Sequence, residues 1–297
     1  MGQVNKGLAS AAAAFTVWGL YPLYFHLLYK VSAFQTIAHR IVWSCLFVLA
    51  WLAAHGQLPA LRATLAYRGV VWRLVGSGLL ICLNWLVYVW AVTNGHVVEA
   101  SLGYFIVPLI NVLLGVVVLS ETLNSVQWFA VALVTGGVVY LTVMAGGVPW
   151  IALTLAFSFG TYGLIRKTVK VDSLLGLSVE TLLLAPFAAA YLLWCGFAGT
   201  GALGHSGYRT DFLLIGSGPL TAITLFLFAY GARLLPFSTV GLLQYISPTL
   251  QFVCGVVAFH EAFEPTRALG FAIIWAALLI YTIEGLRLSS KVQRGSA

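Results

Sequence analysis

The sequence predicts an all-α integral membrane protein with ten transmembrane helices, arranged as two inverted repeats of five helices. The first observation is composition: 61% of the 297 residues are hydrophobic and only 8% are charged, which is too few charges for a soluble domain. The second is a succession of apolar runs of the length that spans a bilayer. The third is a polar stripe that occurs twice, 140 positions apart.

Each apolar run is interpreted as one membrane-spanning helix, in keeping with a mean hydropathy of +0.98 over the chain. The first run is expected to be a retained helix, because it ends in Tyr24, Phe25, His26 and Leu27 and lacks the small residues of a signal-peptide cleavage site. The ten runs are residues 7–29, 36–54, 70–92, 97–119, 125–145, 148–165, 174–197, 211–231, 237–259 and 266–286.

The repeated stripe has a proline between two polar residues, followed by a glycine, at steps of four, three and four. These steps return to one helix face. Between Ser101 and Glu121, seven of 21 positions are identical to the residue 140 positions later. Polar groups and proline inside an apolar helix cost free energy in lipid, so the stripe predicts a lined cavity between two related halves. The two copies are Tyr104, Pro108, Asn111 and Gly115, and Gln244, Pro248, Gln251 and Gly255.

An odd number of helices per half places the start of the second half on the opposite membrane face, so the repeats are expected to be inverted. The division is placed at Gly146-Gly147-Val148-Pro149, a stretch suited to a turn, which gives repeats of residues 1–146 and 147–297. Eleven of the 15 Lys and Arg residues fall on the side of the termini, three on the other side, and Arg40 within a helix. The positive-inside rule then places both termini in the cytoplasm, and the net charge of +7 is a topology signal rather than a nucleic-acid patch.

Motifs of soluble enzymes are absent from the sequence. It contains no H-E-x-x-H, C-x-x-C, G-x-S-x-G or phosphate-binding glycine loop, so neither an enzyme nor a cofactor is expected. Cys45, Cys82, Cys195 and Cys254 lie in apolar runs without paired metal-ligand spacing, which favours helix packing over a zinc site or a disulfide framework.

The ionisable residues inside the predicted helices are His39, Arg40 and Glu180. A buried charge in lipid is costly unless it is paired or hydrated. Arg40 and Glu180 are therefore expected to face the cavity, as substrate anchors or as a proton-linked switch, and each is expected to have a polar or charged partner or to touch the aqueous cavity. The alternatives are a structural ion pair and snorkelling from a helix end.

Five further residues mark helix ends or kinks. Glu99 lies at the start of its predicted helix, where the helix dipole favours a carboxylate. Glu121 and Glu261 lie at the ends of theirs, where the dipole does not favour a carboxylate. The repetition of Glu121 and Glu261 indicates gating or loop hydrogen bonding, with solvated loop charges as the alternative. Pro108 and Pro248 each remove a backbone hydrogen bond and are candidate hinges, with a static packing kink as the alternative.

The polar and aromatic residues of the apolar runs could line an aromatic, mostly neutral cavity suited to an amphipathic or aromatic solute. The alternatives are the interfacial aromatic belt and, for the amides, hydrogen bonds between helices. Ser158 and Arg166 share a face with Tyr162. The candidate cavity residues are Trp18, Tyr21, His39, Arg40, Trp43, Asn84, Trp85, Tyr88, Tyr104, Asn111, Tyr162, Glu180, Gln244, Tyr245 and Gln251.

Two sequence runs are specific enough to identify a family, Glu99 to Phe105 and Gln244 to Leu250. With the shorter motifs they resemble the EamA-type branch of the drug/metabolite transporter superfamily, most closely its RarD (chloramphenicol-sensitive protein) subfamily, over roughly residues 7 to 286. Val107 stands where family copies often have Asn. The shorter motifs are Trp18-Gly19, His39-Arg40, Trp43-Ser44, Asn84-Trp85, Trp90-Ala91-Val92, Leu155 to Phe159, Tyr162-Gly163-Leu164, Arg166-Lys167, Glu180-Thr181 and Glu261.

The resemblance implies ten helices in two inverted five-helix repeats and export across a bacterial inner membrane, without fixing a substrate, because EamA relatives carry both amino acids and metabolites. The prediction is a secondary transporter, and specifically an exporter, of small organic solutes by alternating access. An uncoupled facilitator and a non-transporting scaffold or receptor are the alternatives. The expected partners are the solute, the lipid bilayer and, as the candidate coupling ion, protons; nucleic acid is not expected, and the oligomeric state is left open.

Overall fold

The computed structural model describes residues 2–120, 123–144, 148–169, 171–235, 240 and 243–295. Over these ranges the chain is helical and has no strand. Glu121 and the Gly146-Gly147 pair lie outside the described residues. The helices are α1 (Gly2–Gly19), α2 (Tyr21–His26), α3 (Ala33–Ala54), α4 (Leu58–Ala66), α5 (Arg68–Thr93), α6 (Val97–Leu119), α7 (Ser125–Met144), α8 (Trp150–Thr168), α9 (Ser173–Phe197), α10 (Tyr208–Leu234), α11 (Ile246–Val253), a π-helical turn (Cys254–Ala258) and α12 (Pro265–Gly295).

Side-chain caps fix where two of these helices begin. Asn124 and Gln127 form a reciprocal capping box before α7: the Gln127 N–H donates to Asn124 Oδ1 at 2.9 Å, and the Asn124 N–H donates to Gln127 Oε1 at 3.0 Å. Asp172 precedes α9, and its Oδ1 accepts the Leu174 N–H at 3.0 Å. These residues satisfy backbone donors that the first helical turn leaves unpaired.

Two of the ten predicted runs are interrupted. The first is divided at Leu20, and Pro22 lies in the first turn of the short α2. In the ninth, Leu243 and Gln244 are helical, Tyr245 forms a turn, and α11 begins at Ile246 and gives way to the π-helical turn at Cys254. Pro248 therefore sits in a first turn, where its missing N–H costs no helical hydrogen bond, whereas Pro108 lies inside α6. A further helix, α4, occupies a segment predicted as loop.

Seven helices of the described part are long and apolar enough to cross a membrane. The chain is therefore a multi-pass membrane protein. The other predicted runs correspond to α8, which carries Arg166 near its end, and to the shorter apolar helices Ile246–Ala258 and Ala268–Glu284. The seven spans are Gln3–His26, Ala33–Ala54, Arg68–Thr93, Val97–Val118, Ser125–Met144, Leu174–Phe197 and Tyr208–Ala232.

Helices from the first part of the chain pack mainly on helices from the second. The most extensive pairs are α6 with α8, α1 with α10, α7 with α12, α3 with α10, α5 with α8 and α3 with α9. Glycine allows the closest approaches: a Cβ at Gly103 would lie 2.7 Å from the Ala152 carbonyl oxygen, and one at Gly231 would lie 2.7 Å from the Ala11 nitrogen. Small residues at such contacts are typical of membrane helix packing. Side chains from both parts of the chain therefore meet between the helices.

Candidate functional site

Arg40 is a buried cation held by aromatic rings. It lies on α3 with 3% of its surface exposed. Its guanidinium carbon is 4.0 Å from the ring centroid of Trp85 and 5.4 Å from those of Tyr21 and Phe25. Its Nε donates to Thr221 Oγ1 at 2.9 Å. Cation–π contacts of this kind stabilise a desolvated cation in part. These five residues, from α2, α3, α5 and α10, are called the Arg40 cluster.

The charge of Arg40 has no acidic partner in the described part of the chain. A guanidinium carries five N–H donors, and within the described residues Nε makes its one protein hydrogen bond. No carboxylate there lies within ion-pair distance of it. A buried charge without a counter-charge is unfavourable, so the cluster has the electrostatic character of an anion site.

Two tyrosines lie beside the Arg40 cluster. The Tyr88 ring is 6.3 Å from the Phe25 ring and 5.7 Å from the Tyr104 ring, centroid to centroid. Tyr88 is 3% exposed, and its buried hydroxyl has no hydrogen-bond partner among the described residues. Tyr104 instead donates its hydroxyl proton to Asn84 Oδ1 at 2.8 Å. An unpartnered buried hydroxyl is unusual, and it leaves one polar group next to the cation unsatisfied.

Asn84 uses both ends of its amide to join three helices. Its Oδ1 accepts from Tyr104 on α6, and its Nδ2 donates to the Leu155 carbonyl and to Ser158 Oγ on α8, both at 3.0 Å. Asn84 is 1% exposed. This geometry favours the helix-to-helix alternative over direct substrate contact in the present conformation.

Thr224 and Gln251 connect α1 and α2 with the second part of the chain. Thr224 Oγ1 on α10 accepts from Trp18 Nε1 at 3.1 Å and shares a 3.2 Å hydrogen bond with the Tyr21 hydroxyl. Gln251 Nε2 on α11 donates to the Trp18 carbonyl at 3.2 Å, while its buried Oε1 has no hydrogen-bond partner in the described part of the chain. The predicted residues Trp18, Tyr21 and Gln251 therefore lie in one region.

Glu180 forms a second buried cluster. It is 1% exposed, accepts from Ser77 Oγ at 2.6 Å, and lies 3.8 Å from Arg166 Nη1 through the same Oε1. Tyr162 also neighbours its carboxylate. A Cβ at Gly176 would lie 1.6 Å from Arg166 Nη1, so glycine is required for the guanidinium to reach Glu180. Ser77, Tyr162, Arg166 and Glu180 are called the Glu180 cluster.

The remaining predicted residues are distributed more widely. His39 is buried, with 4% of its surface exposed. Trp43 carries a buried indole N–H that has no hydrogen-bond partner within the ranges the structure describes. Asn111 is exposed, and Gln244 and Tyr245 are half-buried. The structure thus gathers part of the predicted set into two clusters around Arg40 and Glu180, and leaves Asn111 and Gln244 outside them.

Five residues in or beside these clusters were not among the predicted cavity residues: Phe25, Ser77 and Thr221 within them, and Gly176 and Thr224 next to them. The two threonines did have a sequence signal, since together with Ser217 they follow steps of four and three inside an apolar run. Gly176 had none, because its role depends on an arginine from another helix.

Two glutamates cap helices to which they do not belong. Glu261 accepts from the backbone N–H groups of Val97 at 2.6 Å and Val98 at 2.8 Å, at the start of α6. Glu99 Oε1 accepts the Ile151 N–H at 3.2 Å, at the start of α8. Carboxylates are favoured at helix N-termini by unpaired N–H groups and by the helix dipole. The two contacts fasten the first and second parts of the chain together.

Comparisons with known proteins relate the chain to membrane transporters. Residues 5–143 match the model of the EamA-like transporter family. The chain is 41% identical to an "Uncharacterized transporter" of Vibrio cholerae, over 98% of this chain and 97% of that protein. It is 39% identical to "Protein RarD" of Escherichia coli, over 96% of each. One crystal structure has the same fold, with a TM-score of 0.60 and 21% identity, over 96% of this chain and 99% of the other.

Proposed function

Because the chain belongs to the EamA-like transporter family and its RarD subfamily, and is thus a membrane transporter, we propose that it is a secondary transporter that exports small organic solutes across the bacterial inner membrane. The observation that carries this proposal is Arg40, a buried cation without an acidic partner in the described structure, contacted by helices from both parts of the chain. Uncompensated intramembrane charges are typical of substrate pathways.

The proposed architecture is ten helices in two inverted repeats, residues 1–146 and 147–297. In this scheme α1, α3, α5, α6 and α7 correspond to α8, α9, α10, α11 and α12. The packing pairs support it, because exchanging the halves converts one pair into another. The α6–α8 pair becomes α11–α1, α1–α10 becomes α8–α5, and α3–α10 becomes α9–α5, while α7–α12 and α3–α9 each map onto themselves. This is the pattern expected of a pseudo-two-fold axis.

Individual hydrogen bonds support the same symmetry. Trp18 Nε1 donates to Thr224 Oγ1 at 3.1 Å, and Asn84 Nδ2 donates to Ser158 Oγ at 3.0 Å. Ser158 follows Trp18 by 140 positions, and Thr224 follows Asn84 by 140 positions. The two bonds are therefore equivalent under exchange of the halves, although the residue types differ.

Two close helix contacts follow the same offset. A Cβ at Gly160 would lie 2.6 Å from Ile110 Cγ2, and one at Gly19 would lie 2.7 Å from Leu250 Cβ. Ile110 and Leu250 are 140 positions apart, and Gly19 and Gly160 are 141 apart. Packing at van der Waals distance depends on both partners, so the agreement of the offsets supports the repeat boundaries.

The mechanism proposed is alternating access, with the two halves rocking about the central site. Equivalent stripe positions differ in this conformation: Asn111 is exposed, whereas Gln251 is 4% exposed. With both termini in the cytoplasm, as the positive-inside rule indicates, α6 begins at the outer face. There the Glu261 carboxylate holds Val97 and Val98. We therefore interpret the conformation as closed outside and open inside, with the Glu261 contact breaking when the outer side opens.

Glu180 is the proposed coupling residue, with protons as the candidate ion. Its carboxylate is held by Ser77 and faces Arg166 at 3.8 Å. Protonation would remove the attraction to Arg166 and loosen the contact between α8 and α9. An uncoupled facilitator is the alternative, in which the Glu180 cluster only joins helices.

The test is a transport assay in which the substrate does not have to be chosen beforehand. Purified protein is reconstituted into liposomes loaded with a bacterial metabolite extract, and the retained contents are quantified by mass spectrometry after dilution. The proposal predicts that a limited set of small organic solutes is depleted relative to protein-free liposomes. Equal retention of every solute would exclude transport and leave the scaffold or receptor alternative.

A further inference from the structure

We propose that the Arg40 cluster binds the carboxylate group of an organic anion or zwitterion whose other end is apolar or aromatic. This inference rests on the proposed transport function and names its substrate class. It assigns the recognition of charge to Arg40 and the recognition of shape to the rings around it.

Arg40 leaves hydrogen-bond donors free for a ligand. Nε is used by Thr221 at 2.9 Å, and within the described residues the two terminal nitrogens have no protein hydrogen-bond partner. A planar guanidinium holds two N–H groups parallel, so that the two oxygens of a carboxylate can each accept one hydrogen bond. A carboxylate at this position would supply the counter-charge that the described protein does not provide, and binding would relieve the cost of the buried cation.

The number of charges distinguishes a carboxylate from a phosphate ester. Arg40 is the one cation of the Arg40 cluster, and the rest of the cluster is neutral: Tyr21, Phe25, Trp85 and Thr221. A phosphate monoester carries about two negative charges near neutral pH, which this cluster could balance only in part. A single carboxylate matches it.

The surroundings indicate the remainder of the ligand. Trp85, Tyr21 and Phe25 lie around the guanidinium. Tyr88 packs edge-on against Phe25 with the ring centroids 6.3 Å apart, and against Tyr104 at 5.7 Å. Aromatic walls favour apolar and aromatic groups. The buried Tyr88 hydroxyl, which no described residue partners, could donate to a second polar atom of the ligand.

The competing explanation is that Arg40 is purely structural, since cation–π contacts and the Thr221 bond hold it in place. The two explanations differ in what they predict for solutes. A structural arginine affects transport of every solute alike through its effect on folding, whereas an anchoring arginine affects solutes according to their charge.

The experiment uses the same extract-loaded proteoliposomes with wild-type protein, Arg40→Lys, Arg40→Gln and, as an exposed-arginine control, Arg62→Gln. The solutes depleted by wild-type protein should be mostly monocarboxylates with an apolar part. Arg40→Gln should slow their efflux at least about tenfold, because it removes the charge-assisted hydrogen bonds. Arg40→Lys should slow the efflux less, and Arg62→Gln should match wild type.

A second measurement does not depend on the folding of any variant. Each depleted carboxylate and its neutral amide are compared for their effect on the thermal midpoint of wild-type protein, since a ligand that binds the folded state raises it. The acid should raise it and the amide should not. Depleted solutes that carry no carboxylate, such as uncharged molecules, simple cations or phosphate esters, would overturn the inference while leaving the transport function standing. Equal shifts by acid and amide would do the same. No depletion at all would overturn the transport function itself.

Discussion

Glu261 and Val97 are separated by 164 residues, yet the Glu261 carboxylate accepts the Val97 backbone N–H at 2.6 Å and that of Val98 at 2.8 Å. The start of α6 is thus capped by a residue that follows the π-helical turn of the second part of the chain. A carboxylate at this position satisfies two unpaired donors and complements the helix dipole.

Glu261→Ala is therefore expected to destabilise the folded protein by about 2 kcal/mol, because two charge-assisted hydrogen bonds are lost and their donors are left unpaired. The thermal midpoint of the purified protein in detergent measures this effect. Glu264→Ala is the matched control, since Glu264 is exposed three positions further on. Equal midpoints for the two variants would show that the cap contributes nothing.

Gly176→Ala is expected to separate Arg166 from Glu180, because the new Cβ would lie 1.6 Å from Arg166 Nη1. Breaking a buried ion pair costs about 3–5 kcal/mol when one charge is left unpaired. Gly196→Ala on the same helix should have little effect, as no atom lies within 4 Å of its Cβ position. Denaturation in mixed micelles gives the two free energies of unfolding.

A double-mutant cycle identifies the cause of that loss. In a Glu180→Gln background Gly176→Ala should cost clearly less, because the charge that Arg166 served is gone. The same cost in both backgrounds would assign the effect to helix packing and reject the ion pair as its source.

The repeat symmetry predicts matched effects at two glycines. Gly160→Ala and Gly19→Ala should each destabilise by about 1–3 kcal/mol through overpacking against Ile110 and Leu250. Ile110→Ala should restore part of the stability lost in Gly160→Ala. Gly136→Ala is the control, because no atom lies within 4 Å of its Cβ position. A much larger fall of the unfolding midpoint in one of these two variants than in the other would argue against equivalent roles of Gly19 and Gly160.

Glu180→Gln tests the coupling role of the carboxylate. With a solute identified by the efflux assay, a pH gradient should drive uptake into liposomes by wild-type protein and not by Glu180→Gln, which cannot exchange a proton at this position. Thermal shifts by the same solute should remain close to those of wild type, which shows that the fold and binding are preserved. Normal pH-driven uptake by the variant would remove Glu180 as the coupling residue and favour the facilitator.

The helical membrane class followed from composition and apolar run length, because insertion in lipid depends on these properties almost residue by residue. The interruptions were harder to predict. Leu20 and Tyr245 have no breaker chemistry of their own, and the breaks depend on Pro22 and Pro248 settling in first turns of new helices. A hydropathy value averaged over a window of residues does not reveal a helix break at a single residue.

The candidate site was predictable in its charged members and not in their partners. Arg40 and Glu180 stand out because charges are rare in apolar runs, and each has a polar partner in the structure. The identity of those partners depends on how distant helices pack. Thus Glu180 faces Arg166 on α8, and Glu99 of α6 accepts a backbone N–H at the start of α8.

The most direct test of the central claim, alternating access between two symmetric halves, compares the equivalent positions Asn111 and Gln251. Each is replaced by cysteine in a background without the four native cysteines, and oriented vesicles are treated with a membrane-impermeant maleimide. Alternating access predicts that Asn111→Cys reacts from the cytoplasmic face and Gln251→Cys from the outer face. Adding Glu261→Gln should raise labelling at position 251 and lower it at position 111, because the outer closure is weakened. Labelling of both positions from one face, or changes in the same direction, would contradict alternating access between the two halves.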